Sequence, residues 1–183
     1  MQQNHAKMTL IYRCIKQNTE PAGAGQKQRC NMDDLKKPEV FAAYYEKVYR
    51  ELYYFALHTL KNPQDAEDAV SEAVADAFAT VEKLRDQEKF RVWIFQILSN
   101  KCKRKLKEYT QKTVDLPTGD ATEESLQVRE ALDRLDETER RVICLNVIGG
   151  FKSHEIGEMM QMNHNTVRSR ISRGLNKMKE FLA

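Results

Sequence analysis

The fold of this chain is decided by the sequence QDAEDAVSEAVADAFATVEKLRDQEKFRVWIFQILSNKCKRKLKEYTQKTVDL, residues 64–116, which contains neither glycine nor proline. A stretch of this length without either residue favours helices, because both destabilise a helix interior. Apolar residues recur in it at three- and four-residue steps, first from Ala66 to Leu84 and then from Phe90 to Leu106. This period predicts two amphipathic helices, and the polar face of the second becomes increasingly basic.

The flanking sequence extends the same pattern in both directions. Upstream, a stripe from Val40 to Ala56 predicts one amphipathic helix, which Asn62-Pro63 ends. Downstream, a stripe from Leu126 to Ile148 ends at Gly149-Gly150, and Ser153 is placed to cap the next helix. Since no segment shows the sustained alternation of a strand, we predict an all-α protein of two small helical domains.

Four segments follow from these patterns. Residues 38–110 form the first predicted domain, and residues 126–183 form the second. Residues 111–125 contain Pro117, Gly119 and four acidic side chains but no apolar stripe, which predicts a flexible linker. Residues 1–31 are polar and show no sustained period, so we expect a disordered or non-native N-terminal extension.

The composition excludes several classes of protein. No run approaches the roughly 18 apolar residues needed to cross a bilayer. The short apolar patch Met8–Ile15 is interrupted by Arg13 and has no signal-peptide cleavage site after it, so we expect a cytoplasmic protein. The cysteines show neither CxxC spacing nor a histidine at ligand spacing, which predicts reduced thiols, no metal and no cofactor. They are Cys14, Cys30, Cys102 and Cys144.

The net charge of +3 hides an uneven distribution along the 183 residues. From Asn62 to Glu88, eight acidic side chains stand against two basic ones. From Arg91 to Thr113, seven basic side chains stand against one acidic one, and Asn163 to Lys179 carries five basic side chains and no acidic one. Two separate basic segments on helical periods indicate contacts with nucleic-acid phosphates.

Residues 153–177 have the pattern of a helix-turn-helix. Ile156 and Met159 mark the apolar side of a short first helix, Gly157 allows close packing, and Val167 and Ile171 point inward from the second. The outward side of the second helix carries hydrogen-bonding tips and arginines, which reading of the DNA major groove requires. The predicted DNA-reading residues are His164, Asn165, Thr166, Arg168, Ser169, Arg170 and Arg173. A purely structural helix pair is the alternative.

The basic end of the middle stripe is a second candidate for DNA contact. Aromatic residues at Phe90, Trp93 and Phe95 precede the cations of residues 101–107. Rings beside cations suit single-stranded bases, which stack on the rings while the cations hold the phosphates. From composition alone, we assign the rings to the core and the lysines to DNA.

Three blocks, in order along the chain, carry a resemblance to a known family. They are NPQDAEDAVSEAVADAF (62–78), EKFRVWIFQILSNKCKRKL (88–106) and LDETERRVICLNVIGGFKSHEIGEMMQMNHNTVRSRISRGLNKMKEFL (135–182). With a linker before the third block, the sequence resembles the extracytoplasmic-function (ECF) class of bacterial sigma factors in the sigma-70 family. The resemblance implies a first domain that docks on core RNA polymerase and melts the −10 promoter element, and a second domain that reads the −35 element as a duplex.

The resemblance also assigns roles to single positions. The acidic helix at Asp65, Asp68 and Glu72 would meet the clamp coiled coil of the largest polymerase subunit. Asn100 would contact a flipped base of the −10 element. The basic residues that would hold the same strand are Lys101, Lys103 and Arg104.

Two positions depart from the family pattern. Ser71 stands where the family often has glutamine, and Arg104 stands where many members have aspartate. Both lie at variable edges of their motifs, so they affect promoter sequence and affinity rather than the class. Many members are held by an anti-sigma factor, which the resemblance makes a candidate partner beside core polymerase and promoter DNA.

Two other functions are open from the residues themselves. A stand-alone helix-turn-helix regulator would explain the second domain but would leave the acidic helix and the middle basic helix without a role. An enzyme would need a catalytic cluster, and Ser153-His154-Glu155 are helix neighbours that point about 100° apart and cannot form a relay. No phosphate-binding glycine loop is present, so we expect no catalytic activity and no small-molecule substrate.

Overall fold

The computed structural model describes residues 35–109 and 123–182, which are helices joined by short turns with no strand, as the all-α prediction requires. None of these helices is both long and apolar enough to cross a membrane. The expected extension, residues 1–31, and most of the expected linker, residues 111–125, lie outside the described ranges. The helices are α1 (Pro38–Glu46), α2 (Tyr49–Leu60), α3 (Pro63–Ala79), α4 (Phe90–Tyr109), α5 (Glu123–Asp133), α6 (Glu137–Val147), α7 (Ser153–Met160) and α8 (His164–Phe181).

The predicted single helix from Val40 to Ala56 is wrong, because the chain forms α1 and α2 with a tight turn between them. The backbone N–H of Val48 donates to the carbonyl of Tyr45 at 2.9 Å, and Val48 has φ −118°. The apolar period continues through this turn, so sequence periodicity alone does not show the break. The turn lets Phe41 on α1 pack edge-on against Phe78 of α3 and Phe90 of α4, with ring centroids 5.1 and 5.5 Å apart.

The boundary between α2 and α3 agrees with the prediction. Lys61 ends α2 in the left-handed conformation with φ 61°, and Pro63 is the first residue of α3. Asn62 caps α3, since its side-chain oxygen accepts the backbone N–H of Asp65 at 3.2 Å. α3 then buries a line of alanines that let α2 and α4 approach closely: Ala66, Ala69, Ala73 and Ala77.

In the second domain, α6 is buried along almost its whole length and packs against α7 and α8, while α5 packs against α8. α5 begins at Glu123, three residues before the expected boundary at 126. The prediction that Ser153 caps α7 is wrong, because Ser153 is already the first helical residue. The cap is made instead by the Glu155 carboxylate, which accepts the backbone N–H of Lys152 at 2.7 Å.

The two domains also pack against each other, which the sequence did not predict. α2 lies on α6, and α4 lies on α7. Phe95 on α4 meets Phe151, which precedes α7, with ring centroids 5.0 Å apart, and the guanidinium of Arg91 lies 5.0 Å from the centroid of the Phe151 ring. At one edge, Lys61 pairs with Asp133 at 2.5 Å. The described residues therefore share one continuous hydrophobic core.

Candidate nucleic-acid interface

The acidic flank of α3 faces the basic flank of α4, and we call this row of ion pairs the α3–α4 ladder. Lys101 Nζ lies 2.6 Å from Asp76 Oδ2, and Arg104 Nη2 donates to Glu72 Oε2 at 2.6 Å. Lys105 makes looser contacts farther along α4. The members of the ladder are Asp65, Asp68, Glu72 and Asp76 on α3 and Lys101, Arg104 and Lys105 on α4.

The ladder brings together residues that the sequence assigned to different partners. Its acids were expected to meet polymerase and its cations to meet DNA, yet in the protein they neutralise each other. Two members of the ladder, Asp76 and Lys105, are not among the site residues that the sequence predicts. The signal was available in principle, because helices that follow each other along the chain are usually neighbours in space, and both flanks recur at three- and four-residue steps.

Each pair in the ladder is weak. The carboxylates of Asp68 and Asp76 are 53% and 55% exposed, and ion pairs at such sites contribute about 0–1 kcal/mol each. A phosphate or a cationic partner can therefore compete with them. The ladder aligns the charged flanks of α3 and α4, and its ion pairs can still be exchanged for contacts with another molecule.

Asn100 and Lys103 lie outside the ladder on an exposed stripe of α4. Residues 100, 103, 104 and 107 follow one another at three- and four-residue steps, and all are exposed. This stripe is polar and cationic along two turns of the helix. It leaves the amide of Asn100 accessible, with the charges of Lys103 and Arg104 directly beyond it.

Directly before Asn100, Ser99 is fully buried and is held by the second domain. Arg141 on α6 donates from Nη2 to the Ser99 carbonyl at 3.1 Å and to the Ser99 hydroxyl oxygen at 2.8 Å. Burial lowers the pKa of Arg141, although Glu137 opposes that shift. No sequence pattern predicts this contact, because an arginine beside another arginine on a helix normally points to solvent.

The helix-turn-helix prediction matches the geometry of α7 and α8. Gln161 turns the chain in the left-handed conformation with φ 55°, and the Asn163 side chain caps α8 by accepting the N–H of Asn165 at 2.9 Å. Gly157 is required at this turn, since an added Cβ would lie 2.7 Å from the carbonyl oxygen of Met162. Val167 is fully buried and fixes α8 on α7.

Six of the seven predicted DNA-reading residues are exposed on α8: His164, Asn165, Thr166, Arg168, Ser169 and Arg173. Arg170 is different, because its guanidinium turns back toward the start of α6 and lies 3.7 Å from Asp136 Oδ2. Its side chain is 28% exposed, and its Nε is buried without a hydrogen-bond partner. The side chain of Arg170 therefore faces α6, within the second domain, and not the exposed face of α8.

Neither the rings of α4 nor the two described cysteines form a reactive site. Phe90 and Phe95 are buried as predicted, and Trp93 is partly buried against the same core. Burial raises the pKa of both Cys102 and Cys144 to about 12, which keeps the thiols protonated. Within residues 35–109 and 123–182, no group of histidine, cysteine and carboxylate side chains could hold a metal ion.

Both domains match models of one protein family. Residues 44–111 match sigma-70 region 2, and residues 125–178 match sigma-70 region 4. Among curated proteins, the RNA polymerase sigma factor SigV of Bacillus subtilis is 28% identical over 138 residues, which cover 71% of this chain and 83% of that protein. The ECF RNA polymerase sigma factor SigW of the same organism is 26% identical over 167 residues, covering 79% and 87%.

Solved structures share the fold. The sigma factor RpoE of Bartonella quintana, solved with the anti-sigma factor NepR, aligns with a TM-score of 0.69 at 21% identity, over 79% of this chain and 97% of that chain. CnrH, solved with the cytosolic domain of CnrY, aligns with a TM-score of 0.68 at 23% identity, over 82% and 94%. With a region 2 domain and a region 4 domain in order along one chain, the protein belongs to the ECF class of the sigma-70 family of RNA polymerase sigma factors.

Proposed function

We propose that this sigma factor binds core RNA polymerase, reads the −35 element with α8 and the −10 element with α4, and thereby opens the promoter. The single observation that carries the proposal is the presence, in one chain, of two separate exposed faces suited to DNA. One is the α8 face that begins at His164, and the other is the α4 stripe that begins at Asn100. A stand-alone regulator would need only the first, so we do not favour it.

The α8 face suits reading of a duplex. The helix begins at the tight turn at Gln161, and its first turns present polar tips and the exposed guanidiniums of Arg168 and Arg173. A side chain that pairs well with a base edge contributes about 1–3 kcal/mol of discrimination. No acidic residue lies between Asn163 and Lys179, so no side chain in the first four turns of α8 repels the phosphates.

The α4 stripe suits an opened strand. The exposed Asn100 amide can donate to and accept from a base edge, while Lys103 and Arg104 hold the following phosphates. Unstacking costs a few kcal/mol per base step, and capture of each base returns about 1–3 kcal/mol. The protein therefore needs no catalytic group of its own, because it opens DNA by binding the open form better than the closed one.

Docking on polymerase uses α3 in this proposal, as the family resemblance implies for Asp65, Asp68 and Glu72. The ladder engages these acids, but its weak pairs leave them available to a cationic partner. The opposite flank of α3 adds apolar surface at Val74, Ala75 and Phe78. Both similar structures were solved with a bound partner, and one of these partners is named an anti-sigma factor, so we include an anti-sigma factor among the partners of this chain. Since core RNA polymerase and promoter DNA would be its partners, we expect this protein to act in the cytoplasm.

Run-off transcription with purified core polymerase tests the proposal, with permanganate reactivity of unpaired thymines as the readout of opening. Asn100→Ala should lower open-complex formation about 5- to 100-fold, from the loss of roughly 1–3 kcal/mol, and should leave binding to core polymerase unchanged. Gln127→Ala, which removes an exposed amide from α5, is the matched control. If Asn100→Ala instead abolished polymerase binding, the assignment of Asn100 to the −10 element would be wrong.

A further inference from the structure

An open apolar groove of about 480 Å³ runs between α1 and α3. It lies on the flank of α3 that faces away from the α3–α4 ladder. Phe78 stands at its edge with 40% of the side chain exposed, held edge-on by Phe41. The residues that line the groove are Pro38, Phe41, Tyr45, Ser71, Val74, Ala75 and Phe78.

The apolar surface continues beyond the groove along α2. The ring of Tyr45 contacts the ring of Tyr49 at 5.5 Å between centroids, and Tyr49 is 44% exposed. Tyr49 and Phe78 are the large apolar side chains that remain exposed in the described part of the chain. A continuous apolar surface of this kind indicates a binding site for another apolar segment.

The chain itself contains a segment of matching chemistry upstream of the groove. Residues 8–15, MTLIYRCI, are the apolar patch in an otherwise polar N-terminal sequence. The described structure begins at Leu35, which is fully buried, and Pro38 already lines the groove. Residues 16–34 between them can span about 60 Å when extended, at roughly 3.3 Å per residue. A tether of this kind gives the segment a high effective concentration at the groove.

Charge does not oppose this pairing. Lys7, Arg13 and Lys16 lie within or beside the apolar patch. The border of the groove is of mixed charge, since exposed Glu39 follows Lys36 and Lys37, and exposed Glu82 precedes Lys83. The match between segment and groove is therefore one of apolar surface.

We propose that residues 8–15 of this chain bind in the groove between α1 and α3. The bound segment would cover Phe78 and the apolar flank of α3. This part of the inference rests on the proposed function, because α3 is the helix assigned to polymerase. The segment and polymerase would then compete for α3, so that binding of core polymerase displaces the segment.

Photo-crosslinking in the full 183-residue chain tests this inference, with p-benzoylphenylalanine in place of Phe78. We expect an intramolecular adduct that peptide mapping places within residues 8–15. The same photoreactive group in place of Lys103, on the far face of α4, is the control and should give no such adduct. Far-UV circular dichroism checks that both labelled chains remain helical.

A double substitution, Leu10→Asp with Ile11→Asp, should lower the adduct yield at least tenfold, because it replaces two buried aliphatic side chains with charged ones. An unchanged yield would overturn the inference, as would an adduct elsewhere in the chain or one that joins two copies. Binding to core polymerase is measured separately on the unlabelled chain. A chain that forms the adduct but ignores polymerase would contradict the proposed function only, and one that binds polymerase without the adduct would contradict the inference only.

Discussion

Arg141 joins the two domains through the residue directly before Asn100. Its guanidinium is bound by the carbonyl and hydroxyl of Ser99, and the side chain is 6% exposed. A contact of this kind contributes in two ways, because the aliphatic stem packs against the core while the head satisfies polar atoms. In the closed arrangement of the two domains, the side chain that holds Ser99 thus comes from the domain assigned to the −35 element.

Replacing Arg141 with alanine should lower the free energy of unfolding by about 1–3 kcal/mol, through lost packing and lost hydrogen bonds. Urea denaturation measures the change. Arg168→Ala, which removes an exposed arginine, is the control and should stay within about 0.5 kcal/mol of wild type. Equal losses in the two variants would show that Arg141 does not join the domains.

His58 on α2 makes the stability of the folded protein sensitive to acid. Burial and the nearby charge of Arg129 lower the pKa of His58 to about 4, while Asp133 opposes the shift. The unfolded chain, with a histidine pKa near 6.5, therefore binds a proton that the folded chain rejects between these two values. Stability consequently falls as the pH drops from about 6.5 toward 4.

We expect the free energy of unfolding to fall by about 1–3 kcal/mol between pH 7 and pH 5 because of this histidine, at roughly 1.4 kcal/mol per pKa unit. Urea titrations at each pH measure the slope. A His58→Gln variant should have a flatter profile, whereas His154→Gln, at an exposed position, should follow wild type. A wild-type slope in His58→Gln would assign the effect to other groups.

At the scale of elements, the arginines of α8 have two different roles: two lie on the exposed face of the helix, and one contacts α6. Arg168 and Arg173 lie on the exposed face, while Arg170 is directed toward Asp136 at the start of α6. Helical periodicity explains the division, because residue 170 lies beside the buried stripe of Val167 and Ile171 rather than opposite it. The same period gives α3 one flank that meets α4 and another that meets α1.

Arg168→Ala should weaken binding to a −35 duplex by about 1–3 kcal/mol with little change in thermal stability. Arg170→Ala should have the reverse pattern, with a lower melting temperature and a smaller loss of binding. Fluorescence anisotropy on a labelled duplex, repeated at two salt concentrations, and differential scanning calorimetry separate the two effects. If Arg170→Ala weakened DNA binding more than Arg168→Ala, the division of tasks would be wrong.

At the scale of the whole molecule, the two faces that we propose to bind DNA belong to domains that share a core. α2 on α6 and α4 on α7 bury Phe95, Phe151 and Cys102 between them. We expect the domains to separate or to rearrange when the two faces bind promoter elements at separate positions on DNA. The loss of this shared contact is then offset by contacts with polymerase and DNA.

Holding the domains together should therefore block transcription. Lys61 and Asp133 approach across the domain boundary, so a Lys61→Cys, Asp133→Cys pair joined by a reducible bis-maleimide would keep it closed. We expect run-off transcription to fall at least tenfold and to recover when a reductant cleaves the linker. The two single-cysteine variants, treated identically, control for modification of other thiols. Full activity of the crosslinked chain would show that promoter opening does not require the domains to part.

The sequence by itself determined the all-α fold class and the exposed face of α8. It also determined the helix boundaries between α2 and α3 and between α7 and α8. These depend on local physics: helical period, capping by Asn62 and Asn163, and the glycine needed at position 157. Tertiary structure alone decided the break at Val48, the α3–α4 ladder and the buried role of Arg141. A period does not say which flank meets which neighbour, and a charged side chain has the same local signature whether it meets water, a phosphate or another domain.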